Sequence, residues 1–223
     1  MSDVGPGEPI EERIARRIAE RPGPAPRPVQ EPLVGVLRRL GHYDRVAYRA
    51  VARASTPHLD EPLRRLSSFA NHSKPWFITA GILALVGGPS GRRAAVTGVA
   101  AIGLASLVVN QPMKLIGQRR RPERASHGVP QPRWVPMPTS TSFPSGHSAS
   151  AAAFAVAVGD VIPALRAPLG LAGATVAFSR VYTGVHYPGD VLVGIATGAL
   201  LGRATSALCH RIASSGGARP SRP

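Results

Sequence analysis

Five stretches of this chain, residues 75–88, 94–116, 148–165, 168–181 and 191–209, run almost without charge, and no other feature constrains the fold as tightly. A helix needs roughly 20 residues to cross the hydrocarbon of a bilayer. The second and fifth stretches reach that length, and the third comes close. The first and fourth reach it only by extending into polar flanks, which for the first means running back through Asn71, His72 and Lys74 with Pro75 as a kink. A water-facing helix keeps one polar side, and these stretches keep no such side. The expected class is therefore all-α, an integral membrane helical bundle of about five transmembrane helices with amphipathic N-terminal helices. A soluble all-α bundle is the alternative. Gly194, Gly198 and Gly202 share one face of the last stretch, where a neighbouring backbone can approach closely, within the chain or in a dimer.

The N-terminal third has a different character. Residues 1–20 alternate acid and base and lack the apolar run of a signal peptide. Ile10, Ile14 and Ile18 recur every fourth residue, which fits either a short amphipathic helix or a disordered charged tail. Five prolines within residues 21–32 forbid a continuous helix and mark a linker. Residues 33–66 read as amphipathic helix interrupted near Gly41 and Pro57. They carry Arg38, Arg39, Arg45, Arg49, Arg53, Arg64 and Arg65, too much charge to cross a bilayer but suited to its surface. The expected organisation is an extension and Pro-rich linker at 1–32 and a main domain at 33–210. Within that domain, 33–66 are interfacial helices and 70–208 the membrane bundle, and a disordered basic tail follows at 211–223.

A net charge of +15 would fit nucleic acid, but the basic residues flank apolar stretches and only 5% of the chain is aromatic. Anionic lipid head groups account for that distribution. A membrane is the expected partner and nucleic acid is not. Cys209 is the single cysteine, so no intramolecular disulfide is expected, and no Cys/His spacing suits a zinc site.

Eleven residues in the second half form three ordered clusters: Lys114 with Arg121-Pro122, then Pro144-Ser145-Gly146-His147, then Ser179-Arg180 with His186 and Asp190. Their chemistry is complementary. A phosphate ester keeps charge on its non-bridging oxygens throughout hydrolysis, which calls for fixed cations and donors. Lys114, Arg121 and Arg180 are the cations, while Ser145 and the Gly146 N–H at a helix start add neutral donors. A neutral imidazole attacks phosphorus directly when a carboxylate holds its other nitrogen. His186 and Asp190 can meet in this way across the first turn of a helix beginning near Pro188. His147 is the remaining motif histidine, with a side chain suited to proton transfer near neutral pH.

The patterns K-x6-R-P, P-S-G-H and S-R-x5-H-x3-D resemble the three signature motifs of the type 2 phosphatidic acid phosphatase (PAP2) superfamily of membrane lipid phosphatases, over about residues 70–208. The resemblance implies that His186 is the nucleophile, that Asp190 orients it, and that His147 is the acid and later the base. It implies phosphate binding by Lys114, Arg121, Ser145, Gly146 and Arg180, with no metal and no cofactor. The implied substrate is a lipid phosphate monoester or diphosphate. The surroundings resemble short PAP2 proteins of GC-rich bacteria, which favours a polyprenyl-linked phosphate such as decaprenylphosphoryl phosphoribose phosphate. Undecaprenyl diphosphate, phosphatidic acid and phosphatidylglycerol phosphate are alternatives within the class. Outside it stand a vanadate-dependent haloperoxidase-like oxidoreductase, whose phosphate site is similar, and an inactive lipid-binding protein.

Residues 119–142 hold five prolines and the run Arg119-Arg120-Arg121, which predicts an irregular loop outside the hydrocarbon. Trp134 would anchor that loop at the interface or cover the substrate. Arg119, Arg120 and Arg124 are expected to be solvated or lipid-facing, or to supply one substrate contact. His42, His58, His72, His127 and His210 match no motif and are expected at the surface or interface. Arginine counts favour a multi-pass protein of the cell membrane with a cytoplasmic active site, although Arg92, Arg93, Arg166 and the basic tail weigh against that side.

Overall fold

The computed structural model describes residues 30–216, which form helices and turns with no strand. The extension at 1–29, including Ile10, Ile14 and Ile18, and the tail from 217 lie outside the described residues. The chain divides into two units, Met1–His42 and Tyr43–Pro223.

Helix α1 covers Gln30–Arg53 and passes through Gly41 without the expected break. One glycine costs a helix only about 1 kcal/mol, which flanking helix formers offset. The chain leaves the helix instead at Ala54, and α2, Pro57–Phe69, starts with its proline in the first turn. A 3₁₀ turn at Asn71–Ser73 follows, in which His72 (φ 56°) and Ser73 (φ 58°) are left-handed. This turn corrects the expectation that the first apolar helix runs back through Asn71, because α3 begins only at Lys74 and covers Lys74–Val86.

Helix α4, Gly88–Val108, continues through a π-turn at Val109–Met113 into the short α5, Lys114–Gly117. Pro112 lies inside the π-turn, where its missing N–H and its ring widen the helix. Helices α6, Gly146–Val161, α7, Arg166–Tyr182, and α8, Pro188–Gly216, complete the described fold. Residues 211–216, expected to belong to a disordered tail, are the last turns of α8. Among the described residues two helices, Gly88–Gly117 and Pro188–Ser215, are long and apolar enough to cross a membrane. Helices α3, α6 and α7 have 13, 16 and 17 residues, short of the roughly 20 needed for a full crossing.

Helix α6 is the centre of the bundle, with α4, α7 and α8 packed around it. Its Ala- and Ser-rich sequence explains this position, because small side chains let three neighbours approach at once. Phe154 and Val158 of α6 meet Trp76 of α3, Ile102 of α4 and Val176 of α7 in the main core cluster. The tightest seam is with α8. A Cβ added at Gly194, Gly198 or Gly202 would fall 2.5, 2.1 or 2.5 Å from the carbonyl oxygens of Ser145, Ala149 and Ala153. The three-glycine face therefore serves packing within the chain. G198A is expected to destabilise the detergent-solubilised protein by about 2 kcal/mol or more through forced separation of the two backbones; an unchanged melting temperature would refute this account of the seam.

The loop between α5 and α6 is pinned by Arg133, which is 1% exposed. Its Nε donates to Asp60 Oδ1 at 2.7 Å, Nη1 to the Val51 and Ala52 carbonyls at 3.1 and 3.3 Å, and Nη2 to the Ala54 carbonyl at 2.6 Å. Its guanidinium also lies 4.2 Å above the Tyr182 ring, whose hydroxyl donates to Asp60. A cation thus satisfies the orphan carbonyls at the end of α1 and pairs with a buried carboxylate. Trp134 donates its indole N–H to Val129 O at 3.0 Å and stacks under Arg124, so it is held within the loop.

Candidate active site

All three motifs converge at the ends of α5, α6, α7 and α8. The π-turn and the last helical turn place Asn110 and Lys114 beside a cavity of about 530 Å³, which Arg121, Gly146, His147 and His186 also line. Lys114 Nζ donates to Ser140 Oγ at 3.1 Å, and Arg121 Nη2 donates to the same hydroxyl at 3.2 Å. Arg121 is oriented further by the carbonyls of Ser140 and Val185, each at 2.8 Å.

In motif two, Ser145 caps α6, its Oγ accepting the Ser148 N–H at 3.4 Å and also the Ser148 hydroxyl at 2.9 Å, while its own N–H donates to Asp190 O at 2.9 Å. Its side chain is fully buried behind the cavity. Gly146 opens the helix, and a Cβ there would meet Asn110 Oδ1 at 3.1 Å. His147 donates from Nε2 to Asn71 Oδ1 at 3.0 Å, which leaves Nδ1 for a ligand. In motif three, Arg180 is 1% exposed and donates from Nη1 to Ser67 O and Oγ at 3.0 and 2.7 Å. Its Nε finds no partner among the described residues. An unused buried donor on a cation costs about 1–3 kcal/mol and marks capacity to receive an anion.

His186 is 2% exposed, on the turn before α8. Arg121 Nη1 lies 3.2 Å from its Nε2. A guanidinium only donates, so Nε2 is the acceptor and the ring proton sits on Nδ1. That Nδ1 is 3.6 Å from Asp190 Oδ2 and 3.5 Å from Ser142 Oγ, and the Ser142 hydroxyl itself donates to Asp190 Oδ2. Burial pushes the His186 pKa down to about 4; the neighbouring Asp190 carboxylate opposes this, and the Arg121 charge adds to it. The imidazole is therefore neutral at physiological pH, with the Nε2 lone pair toward Arg121, another residue of the cavity lining.

The family profile described as the PAP2 superfamily matches residues 94–213, more than half of the chain and all eleven motif positions. The chain belongs to the PAP2 superfamily. Decaprenylphosphoryl-5-phosphoribose phosphatase of Mycobacterium tuberculosis is 34% identical over 156 residues, covering 68% of this chain and 81% of that protein. Undecaprenyl-diphosphatase BcrC of Bacillus subtilis is 34% identical over 100 residues, 45% of this chain and 50% of that protein. The crystal structure of a transmembrane PAP2 type phosphatidylglycerolphosphate phosphatase from Bacillus subtilis shares the fold, with a TM-score of 0.61 at 24% identity over 78% of this chain and 88% of that one.

Of the expected PAP2 site residues, Lys114, Arg121, Gly146, His147 and His186 line the cavity, while Ser145, Arg180 and Asp190 are buried outside its lining. Several contacts escaped sequence reasoning. Asn71, Ser140 and Ser142 hold His147, the motif-one cations and Asp190 respectively; the Ser/Thr run before Pro144 was the available signal for the last two. His72, expected at the surface or interface, is exposed and lines the cavity. Arg119 is not solvated as expected but pairs with both Asp44 and Asp190, and Arg124 donates to Val135 O, whereas Arg120 is exposed.

Proposed function

We propose that this PAP2 protein is a membrane lipid phosphatase that removes phosphate from a polyprenyl-linked substrate through a phosphohistidine on His186. The observation that carries the reading is the state of His186: neutral, its proton on Nδ1 toward Asp190, and its Nε2 beside Arg121 at 3.2 Å. An arriving phosphate takes the donors of Arg121 and Lys114, which frees the Nε2 lone pair. Nε2 then attacks phosphorus, the bond to the leaving oxygen breaks with its electron pair, and His147, which takes a proton at Nδ1 once the negative charge of the bound phosphate lies beside it, supplies that proton to the leaving oxygen. Asp190 balances the positive charge that develops on the His186 ring. In the second step His147 takes a proton from water, the oxygen attacks phosphorus, and the N–P bond breaks to release inorganic phosphate. Every step uses side chains alone.

Five helices, α3, α4 with α5, α6, α7 and α8, are read as the membrane bundle. Ile82, Leu85, Val96, Leu107, Leu171 and Leu200 are large apolar side chains more than half exposed on its outer faces, as lipid contact requires and water contact penalises. The polyprenyl preference rests on relatives named for decaprenylphosphoryl-5-phosphoribose and undecaprenyl diphosphate.

Phosphate release by purified protein in detergent with EDTA tests this reading. The substrates are a polyprenyl phosphoribose phosphate, undecaprenyl diphosphate, phosphatidic acid and phosphatidylglycerol phosphate. The expected result is metal-independent turnover with kcat/KM at least about tenfold higher on a polyprenyl substrate, equivalent to about 1.4 kcal/mol of transition-state preference. A glycerolipid preference would overturn the substrate class, and a strict Mg²⁺ requirement would overturn the metal-free mechanism.

A further inference from the structure

The geometry points to Arg119, anchored by Asp44, as a positioning residue for Asp190 in the reaction proposed above, and the inference rests on that reading of the His186–Asp190 pair. Arg119 lies in the interval between Lys114 and Arg121, where the motif spacing assigns no identity. In the structure it spans two carboxylates. Nη1 donates to Asp190 Oδ1 at 2.9 Å, Nη2 pairs with Asp44 Oδ2 at 2.6 Å, and the guanidinium carbon lies 4.0 Å above the Tyr187 ring.

The contacts close on themselves. The other Asp44 oxygen, Oδ1, accepts the Gly189 N–H at 2.7 Å, so Asp44 grips both Arg119 and the residue next to Asp190. Gly189 has room for little else, since a Cβ there would meet the Asp44 oxygens at 3.1 and 3.2 Å. The Arg119 carbonyl accepts the Ser142 N–H at 2.8 Å, and the Ser142 hydroxyl in turn donates to Asp190 Oδ2. Tyr187, beneath the guanidinium, gives its backbone N–H to the same Oδ2 at 2.9 Å. Arg119 thus reaches Asp190 directly, through Ser142, and across the stacked Tyr187.

This arrangement divides the work of the carboxylate. Arg119 occupies Oδ1, so rotation of Asp190 about its last torsion is blocked and Oδ2 is the oxygen presented to His186 Nδ1. Asp44 supplies the charge that keeps Arg119 from neutralising Asp190 completely, since one cation is shared between two anions. The Arg119 side chain is 28% exposed and the Asp44 side chain 11%, while Asp190 is fully buried. A fixed dipolar frame of this kind raises the rate by holding the dyad in its reactive geometry, without contact to the substrate.

The test compares wild type with R119Q, R119K, D44N and the R119Q/D44N double variant. The lipid that wild type turns over best is the substrate, and the melting temperature is recorded for each. H186A is run in parallel. R119Q is expected to lower kcat about 10–100-fold with KM within about twofold. R119K is expected to recover part of that loss, since an ammonium restores the charge but reaches only one carboxylate at a time. D44N is expected to lower kcat by about fivefold to tenfold, and the double variant to be no slower than R119Q, because both changes break one contact chain. Should R119Q lose its folded transition, D44N carries the test by the same criteria. An R119Q kcat within about twofold of wild type, a rise in KM alone, or additive losses in the double variant each overturn the assignment. If wild type turns over and H186A does not while R119Q is unaffected, this inference alone fails; a wild type without turnover overturns it together with the functional reading.

Discussion

H186A is expected to lose phosphate release by at least about 10⁴-fold while keeping its melting temperature, the scale of loss seen when a covalent nucleophile is removed from a preorganised site. Folding survives because what ties this turn together is backbone: the His186 and Val185 N–H groups donate to the Arg180 carbonyl at 3.2 and 3.1 Å. The imidazole adds only its contacts with Arg121, Ser142 and Asp190. The readouts are single-turnover phosphate release and trapping of an acid-labile phosphoenzyme, which forms in wild type and not in the variant. A folded H186A with wild-type turnover would end the phosphohistidine mechanism. H147A separates the two histidines: the phosphoenzyme still forms from a substrate with a good leaving group but decays slowly, because the group that activates water is gone.

The second large effect is on stability. R133A removes the guanidinium donors to Asp60 and to the Val51, Ala52 and Ala54 carbonyls, and leaves a carboxylate 9% exposed with the Tyr182 hydroxyl as its remaining donor among the described residues. The expected loss is about 3–5 kcal/mol, the usual result of removing one partner from a buried pair, which lowers the melting temperature by of the order of 10 °C. Replacing both residues by apolar ones, as in D60L/R133M, is expected to cost less than R133A alone, because no uncompensated charge remains. Thermal unfolding of the variants in detergent measures both, and an R133A midpoint within about 2 °C of wild type would show that the network is dispensable.

What could be read from the sequence follows from the range of each interaction. The motif residues and the Gly194, Gly198, Gly202 face were legible because their meaning lies in short spacing: a first-turn His–Asp pair, a turn before a helix, one helix side. Gly41 misled because a local breaking signal of about 1 kcal/mol is weak against the helix around it. The break at Asn71–Ser73 was missed for the converse reason: two left-handed residues, neither of them glycine, leave no compositional trace. Arg133 carries no local signal of its own, and the expectation for Arg119 is solvent, lipid or a substrate contact. Their partners, Asp60 and Asp44, stand more than seventy residues away along the chain, and nothing local distinguishes an arginine that will be buried from one that stays in solvent.

The glycine seam also has a consequence for how the protein is made. Gly194 rests on the Ser145 carbonyl, and the Ser145 N–H holds the carbonyl of Asp190, so the motif-two turn and the Asp190 carboxylate find their register only when α8 docks on α6. In the mechanism proposed above, a chain with α4 to α7 in place already carries Lys114, Arg121, Arg180 and His147 yet lacks the pairing of His186 with Asp190. On that reading lipid phosphates meet a working enzyme only once α8 has docked on α6.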